Sequence, residues 1–309
     1  MVMMRMTTTS RILAAPLSVM LSLALGHQAL AQQAPEQIAV AMYAPAAPFP
    51  DSSSRLAYIQ ALARAIQQKA GVPTSGKIYI RLGDLLAAKP DFAIIDGQCL
   101  SAHAPGPVLA AALAGGDTAQ AWGLYTRGDS LAALKGKKLV YVKTGCRDVD
   151  FLDNAMLDGE LKTASYFGAV VDKTDVAGAI ATVRDYKAAD AVFAPAGQTR
   201  GLGKVYEAGS VPNAGFVVLK TFDATLVESV KQAILGYGGG GGAIDGWRAA
   251  PPTLYSGLAG RLGARAKRPV FAAPDPVRLD DQDVILVPAS RYEQATIKQH
   301  FWEPTTGAE

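Results

Sequence analysis

From Gln37 to Ile234, short apolar runs rich in Val, Ile, Ala and Tyr alternate with longer segments whose apolar residues recur at helical spacing. A chain in which strand-like and helix-like periods take turns in this way belongs to the α/β class. Gln37 to Tyr43 reads as the first strand, and a Pro-rich loop from Ala44 to Pro50 follows it. The cluster Asp51, Ser52, Ser53 and Ser54 can then accept the free backbone N–H groups of a helix, with Leu56, Ile59, Ala63 and Ile66 as its buried stripe and Gly71 as its stop. Lys77 to Leu82 and Asp91 to Ile95 read as strands, the second opening into the loop Asp96, Gly97, Gln98, Cys99.

The same unit recurs downstream. Ala119 to Thr126 is a long strand and Leu139 to Lys143 a buried one, after which Thr144, Gly145, Cys146 and Arg147 lead into a helix opened by Asp148, with Phe151, Leu152, Ala155 and Met156 on one face. A helix through Val176, Ala179, Ile180 and Val183 precedes a strand from Asp190 to Ala194; Phe216 to Leu219 and a helix with Leu226, Val230 and Ile234 come later. The five glycines Gly238 to Gly242 read as a flexible loop. They follow a helix and lack a Lys-Ser or Lys-Thr, whereas a phosphate-binding loop follows a strand and opens a helix.

The first 31 residues read as an export signal. Arg5 and Arg11 precede the apolar run Ile12 to Gly26, and Ala29, Leu30 and Ala31 supply a small-x-small cleavage pattern, so the mature chain is expected to begin at Gln32. A membrane anchor is the competing reading, but the run falls short of the ~20 residues a span needs and contains Pro16. No cysteine stands at the cleavage point for lipidation. The expected product is periplasmic and soluble. Residues 1 to 31 hold two arginines and no acid, so the 30 basic and 27 acidic residues of the whole chain leave a mature charge near +1. That balance argues against nucleic acid or a membrane surface as partner.

Three further stretches carry a resemblance. Tyr125 to Val142, with Asp129 and Ser130 ahead of Leu134, Lys135, Gly136, Lys137 and Lys138, resembles the entry to the second lobe of type 2 periplasmic solute-binding proteins. Val183 to Phe193 is similar to their return strand, and Ile244 to Tyr255, with Gly246 and Trp247, resembles the close of the phosphonate-binding branch. The similarity spans Gln37 to Tyr255 as spaced motifs. It implies two α/β lobes, each a mixed sheet flanked by helices, joined by two crossing strands near Tyr125 to Asp129 and Ser210 to Ala214. On that reading 1–31 is the signal, 32–125 the first part of lobe one, 126–211 lobe two, 212–260 the return to lobe one, and 261–309 an extension packed on lobe one.

The implied function is capture of a small solute in the interlobe cleft, a phosphonate- or phosphate-like anion or another small organic molecule, for uptake through an inner-membrane ABC permease. The chain is expected to be monomeric, without cofactor or metal. An extracytoplasmic sensor or scaffold is the alternative, and a cysteine-dependent enzyme a lesser one.

In open α/β sheets ligands sit beyond the carboxyl ends of strands, where loops and helix N-termini present backbone donors. Four loops qualify: Tyr43 to Phe49, Asp96 to Ser101, Thr144 to Asp148, and Pro195 to Thr199. Thr144, Cys146 and Arg147 are the best anion candidates, through a hydroxyl, a helix N-terminus and a guanidinium; the ordinary alternative is a helix cap with a solvated arginine. The phosphonate-binding branch has Ser-Thr-Ser-Gly at this place. Asp96 would repel an anion and welcome an amine, or simply serve the turn before Gly97, and Gln98 and Cys99 follow in the same loop. Tyr43 and Phe49 can wall an organic ligand or pack in the core. Trp247 and Tyr255 are expected to dock the chain end onto lobe one.

If the loops lie as the resemblance implies, Cys99 and Cys146 face each other across the cleft. A disulfide, two buried thiols, or a soft-metal site with His103 are then the open readings, the last one ligand short of a structural zinc site. A bridge would oppose hinge motion and point to a sensor or a non-transporting relative. Cys146 as a nucleophile at a helix N-terminus is chemically sensible, but only His103 and His300 remain after export and no base stands beside it in sequence. The tail from Arg261 to Glu309 holds strand-like runs at Lys267 to Ala272 and Asp283 to Val287, and a helix from Ser290 through His300.

Overall fold

A computed structural model describes residues 35–238 and 243–263. The export segment, Gly239 to Gly242 of the glycine run, and the strands and helix expected beyond residue 263 lie outside the described residues. The chain opens with β1 (Ile38–Tyr43), α1 (Ser52–Ala70), β2 (Thr74–Ile78), α2 (Leu82–Ala87), β3 (Phe92–Ile95), α3 (Gly97–His103) and β4 (Val108–Leu113). It continues with β5 (Ala119–Thr126), β6 (Lys138–Val142), α4 (Asp148–Asp150) running on into a π-helical turn (Phe151–Met156), α5 (Thr163–Tyr166), β7 (Ala169–Lys173), α6 (Val176–Arg184), β8 (Ala191–Pro195) and β9 (Gly203–Pro212). Then come β10 (Gly215–Val218), α7 (Ala224–Leu235), β11 (Gly246–Ala249) and α8 (Ser256–Gly263).

These strands form two mixed sheets, ordered β11-β4-β10-β3-β1-β2 and β7-β6-β8-β5-β9. In the first, β1 runs parallel to β2 and β3 while β10 runs antiparallel to β3 and β4. In the second, β6 is parallel to β7 and β8, and β5 is antiparallel to β8 and β9. The parallel centres follow from the sequence, because β1, β3 and β8 are apolar on both faces and both faces are covered.

Local chemistry sets the helices. Asp51 caps α1 by accepting the Ser54 N–H at 2.7 Å, and Gly71, at φ +71°, closes it by donating to the Gln67 carbonyl. The buried stripe is Ile59, Leu62, Ala63 and Ile66; Leu56, expected in it, is 36% exposed. At 3.6 residues per turn Leu62 lies between Ile59 and Ile66 on the core face, and Leu56 falls to its edge. The strand expected at Lys77 to Leu82 lies earlier, at β2, because pairing with β1 begins at Thr74 and Leu82 already starts α2.

The chain passes between the sheets twice, at 114–118 and at 213–214. The first passage precedes the sequence expectation of Tyr125 to Asp129, since β5 pairs along its whole length with β9, from Ala119 opposite Pro212 to Thr126 opposite Gly203. Asn213 stitches the two passages together. Its Nδ2 donates to the carbonyls of Ala112 and Asp117, its N–H to Thr118 O, and its Oδ1 accepts from Gln120 Nε2 at 2.8 Å.

The chain end does more than brace the first sheet. Trp247 donates its indole N–H to the Tyr58 hydroxyl at 2.8 Å and so fixes β11 against α1. In α8, by contrast, Leu258 and Leu262 pack into the core of the second sheet with Trp122, Phe151 and Leu152. Arg261 donates to the carbonyls of Ala155, Ala208 and Ser210. The first three residues of the segment expected on lobe one thus also reach the second sheet, and α8 lies against α3 of the first lobe and the turn Phe151–Met156 of the second.

Candidate functional site

Three of the four loops picked out by sequence meet between the sheets, and their side chains bind one another. Tyr43, at the end of β1, donates its hydroxyl to the Thr144 carbonyl at 2.7 Å. Gln98, in α3, sends its Nε2 to the Cys146 carbonyl at 2.8 Å and to the Asp148 carboxylate at 3.0 Å. Between these two contacts Cys99 and Cys146 form a disulfide, with Cα atoms 5.0 Å apart and both residues wholly buried. Of the three readings open for the cysteines, the bridge is the one the structure holds. Readings of Cys146 as nucleophile or of the pair as metal ligands require a thiolate, which the bridged form lacks. Among the described residues no cluster of three or more His, Cys, Asp or Glu side chains is arranged to hold a metal.

The bridge depends on how α3 is seated. Gly97 opens that helix directly against the second passage between the sheets: a Cβ at this position would stand 1.9 Å from the Pro212 carbonyl oxygen. Glycine thus lets α3 approach closely enough for Cys99 to reach the opposite lobe. Asp96 caps the same helix, taking the Gln98 N–H at 3.0 Å and holding the Pro-rich loop by the Ala46 N–H at 3.0 Å. Burial drives its pKa upward, against the pull of these two donors.

The loop expected to cradle an anion already holds one. Asp148 Oδ1 accepts from the Thr144 hydroxyl at 2.6 Å, the Thr144 N–H at 3.1 Å and Gln98 Nε2, while Oδ2 accepts from the Gly145 N–H at 2.9 Å. A carboxylate of the chain itself therefore fills the donor set that would otherwise face a ligand oxyanion. Thr144 Oγ1 also accepts the Cys146 N–H at 3.1 Å. Arg147 does not join this cluster. Its backbone is left-handed at φ +58°, and its guanidinium pairs with Asp150 at 2.9 Å and donates to the Leu262 carbonyl at 3.0 Å, strapping α8 down. Phe49 is buried beside Tyr58, edge to face at 5.5 Å.

Open space between the lobes lies to either side of this seam. A groove of about 490 Å³ runs from Pro48 past Gln120 to Gln198, in the fourth expected loop, with Asp117 and Asp245 on its walls. A second cavity of about 140 Å³ lies between Tyr43, Ser52, Arg55 and Tyr79 on one side and Thr174 and Asp175 on the other. Beside it the Val176 N–H donates to the Pro45 carbonyl across the lobes at 3.2 Å.

With two sheets, two passages and an interlobe seam, the architecture can be compared with solved structures. A binding protein component of an ABC phosphonate transporter from Pseudomonas aeruginosa superposes with a TM-score of 0.55 at 12% identity, over 71% of this chain and 83% of that one. PhnD1 from Prochlorococcus marinus, in complex with methylphosphonate, gives 0.54 at 13% identity, over 73% and 97%. A Xanthomonas citri protein bound to chloride ion gives 0.52 at 14% identity, over 74% and 98%. This chain has the two-lobed fold of the periplasmic binding proteins. No family model and no curated protein matches its sequence.

Within this binding-protein fold, three of the loops singled out by sequence meet at the seam, and the sequence does not show what fills it. Asp148 was read only as the opening residue of a helix. Its place four residues after Thr144 was the available signal, since an acid at a helix start seeks nearby backbone donors. Arg55 and Asp175 gave no sign, because they belong to different lobes and line one cavity only through the fold.

Proposed function

We propose that this chain is an extracytoplasmic ligand-binding module of the periplasmic-binding-protein class that works with its lobes tied, as a sensor or scaffold. The observation that carries the reading is the Cys99–Cys146 bridge between α3 of one lobe and the loop before α4 of the other. Hinge-bending carriers open and close around their ligand. A covalent link beside the cleft, reinforced by Tyr43, Gln98 and the α8 strap, opposes that motion. The export-like segment 1–31 agrees with the reading, because disulfides persist in oxidising compartments.

Capture of a solute for an inner-membrane ABC permease is the second reading, favoured by the neighbours that are themselves transporter binding components. A phosphonate held as the sequence resemblance implies is disfavoured in both readings, since Asp148 occupies the donors it would need. The small-molecule ligand then enters one of the two spaces flanking the seam.

Thermal unfolding of the exported chain, with and without a panel of phosphonates, phosphate, sulfate, amines and amino acids, tests this in oxidised and reduced protein. A solute at ~100 times its dissociation constant stabilises the native state by about 2.7 kcal/mol. One chemical class is expected to shift the bridged form. Binding that appears only after reduction would sink the tied-lobe reading in favour of a hinged carrier, and no shift in either state would remove solute binding altogether.

A further inference from the structure

In the cavity of about 140 Å³ on the α1 side of the seam, two oppositely charged side chains form no ion pair with each other. Arg55 projects into it from the first turn of α1. Its Nε is buried with no hydrogen-bond partner, and among the described residues no carboxylate forms an ion pair with its guanidinium. The nearest support is the Phe49 ring, 5.8 Å from the guanidinium carbon, which holds the group in place without satisfying its donors. At the seam itself the polar groups are closed on one another, as Asp148, Gln98 and Tyr43 show.

Opposite Arg55, on the other lobe, stands Asp175. One of its oxygens caps α6 through the Gly178 N–H at 2.7 Å; the other receives only the Thr174 hydroxyl, at 3.4 Å. Opposite charges thus line one cavity without meeting. In a partly desolvated space a guanidinium without an ion pair is costly, and burial pulls its pKa down while the charges of Asp175 and, less strongly, Asp96 pull it up. A ligand with an anionic end for Arg55 and a cationic end for Asp175 would complete both groups at once. The planar fork of the guanidinium matches a carboxylate in bidentate fashion. The Ser52 and Thr174 hydroxyls and the Tyr43 and Tyr79 rings supply the remaining walls. The volume lies well below that of drug-sized pockets, so the occupant is small.

We propose that this cavity binds a small amino acid, its carboxylate on Arg55 and its ammonium on Asp175. The inference rests on the reading of the chain as a binding module, and it names the ligand class and the place. Both lobes contribute, so the ligand would act as a further tie across the cleft, compatible with a closed bridge.

The test is isothermal calorimetry on the oxidised, exported chain with glycine and L-alanine, and with acetate and methylammonium as half-ligands. Glycine or alanine is expected to bind, and each half-ligand to bind at least about tenfold more weakly. Arg55→Gln and Asp175→Asn are each expected to weaken the amino acid by about tenfold or more. Asn caps helices as well as Asp does, so the second variant keeps its fold even if the first does not. Acetate binding as tightly as glycine, or amino-acid binding that survives Asp175→Asn, would overturn the proposal. Should amino acids fail while another solute class binds, this site assignment falls and the binding module stands; should every solute of the wider panel fail, both fall.

Discussion

Reduction of the Cys99–Cys146 bridge is expected to lower the free energy of unfolding by about 4 kcal/mol. The two cysteines are 47 residues apart in sequence. Closing a loop of that length in the unfolded chain removes conformational entropy amounting to about 4 kcal/mol at room temperature. The bridge is buried at the junction of the lobes, where Gln98 and Tyr43 already align the two loops, so the native state gains nothing by releasing it. Urea unfolding of the Cys99→Ser/Cys146→Ser double variant against the oxidised chain measures the effect. A difference under ~1 kcal/mol would contradict the expected loop-closure contribution. A steeper denaturant slope in the variant is expected as well, because the unbridged unfolded chain exposes more surface.

Replacing Phe92 by alanine is expected to cost about 3–5 kcal/mol. Phe92 is fully buried in β3, at the middle of the first sheet. Its ring stacks on Phe216 at 5.6 Å and on Phe222 at 5.4 Å, so its loss opens a cavity between two aromatic faces that the backbone of β3 and β10 cannot close. The same neighbours pass the damage on: Phe216 packs edge to face on Trp247 at 6.2 Å, and Trp247 anchors β11 to α1. Chemical denaturation reads the change. A loss below ~1.5 kcal/mol would mean that this core repacks freely, contrary to a sheet held on both faces.

Much of the fold was legible because its signals are local. Asp51 and Gly71 mark the ends of α1 by side-chain and backbone chemistry alone, and β1, β3, β6 and β8 are runs of β-branched and apolar residues that stand out from their flanks. Less legible were β4, whose alanine-rich run suits helix or strand alike, and β9, where Gly203, Lys204, Glu207 and Gly209 break the alternation. Those strands exist because neighbours pair with them. The first passage between the lobes lies ahead of the motif at Tyr125 for the same reason: that motif marks the far end of a strand whose register with β9 starts at Ala119.

At the site, the loops and the cysteine pair were visible while their relations were not. Spacing identified Thr144 and Arg147 as chemically able to hold an anion. Whether they face one depends on the left-handed backbone at Arg147, which turns its guanidinium to Asp150 and α8, and on Asp148, which takes the donors for itself. The disulfide stood among three readings because pairing depends on distance in space. Arg55 and Asp175 are the extreme case, two ordinary surface-type residues in sequence that become an unmatched pair only when two lobes face each other.

The tied-lobe account rests on one covalent bond, and mass spectrometry of peptides from the native chain, digested without reductant after alkylation of free thiols, tests it most directly. The expected result is a single linked pair of peptides containing Cys99 and Cys146, with neither residue alkylated. Alkylation of both in the native protein would contradict the account and favour a freely hinged binding protein.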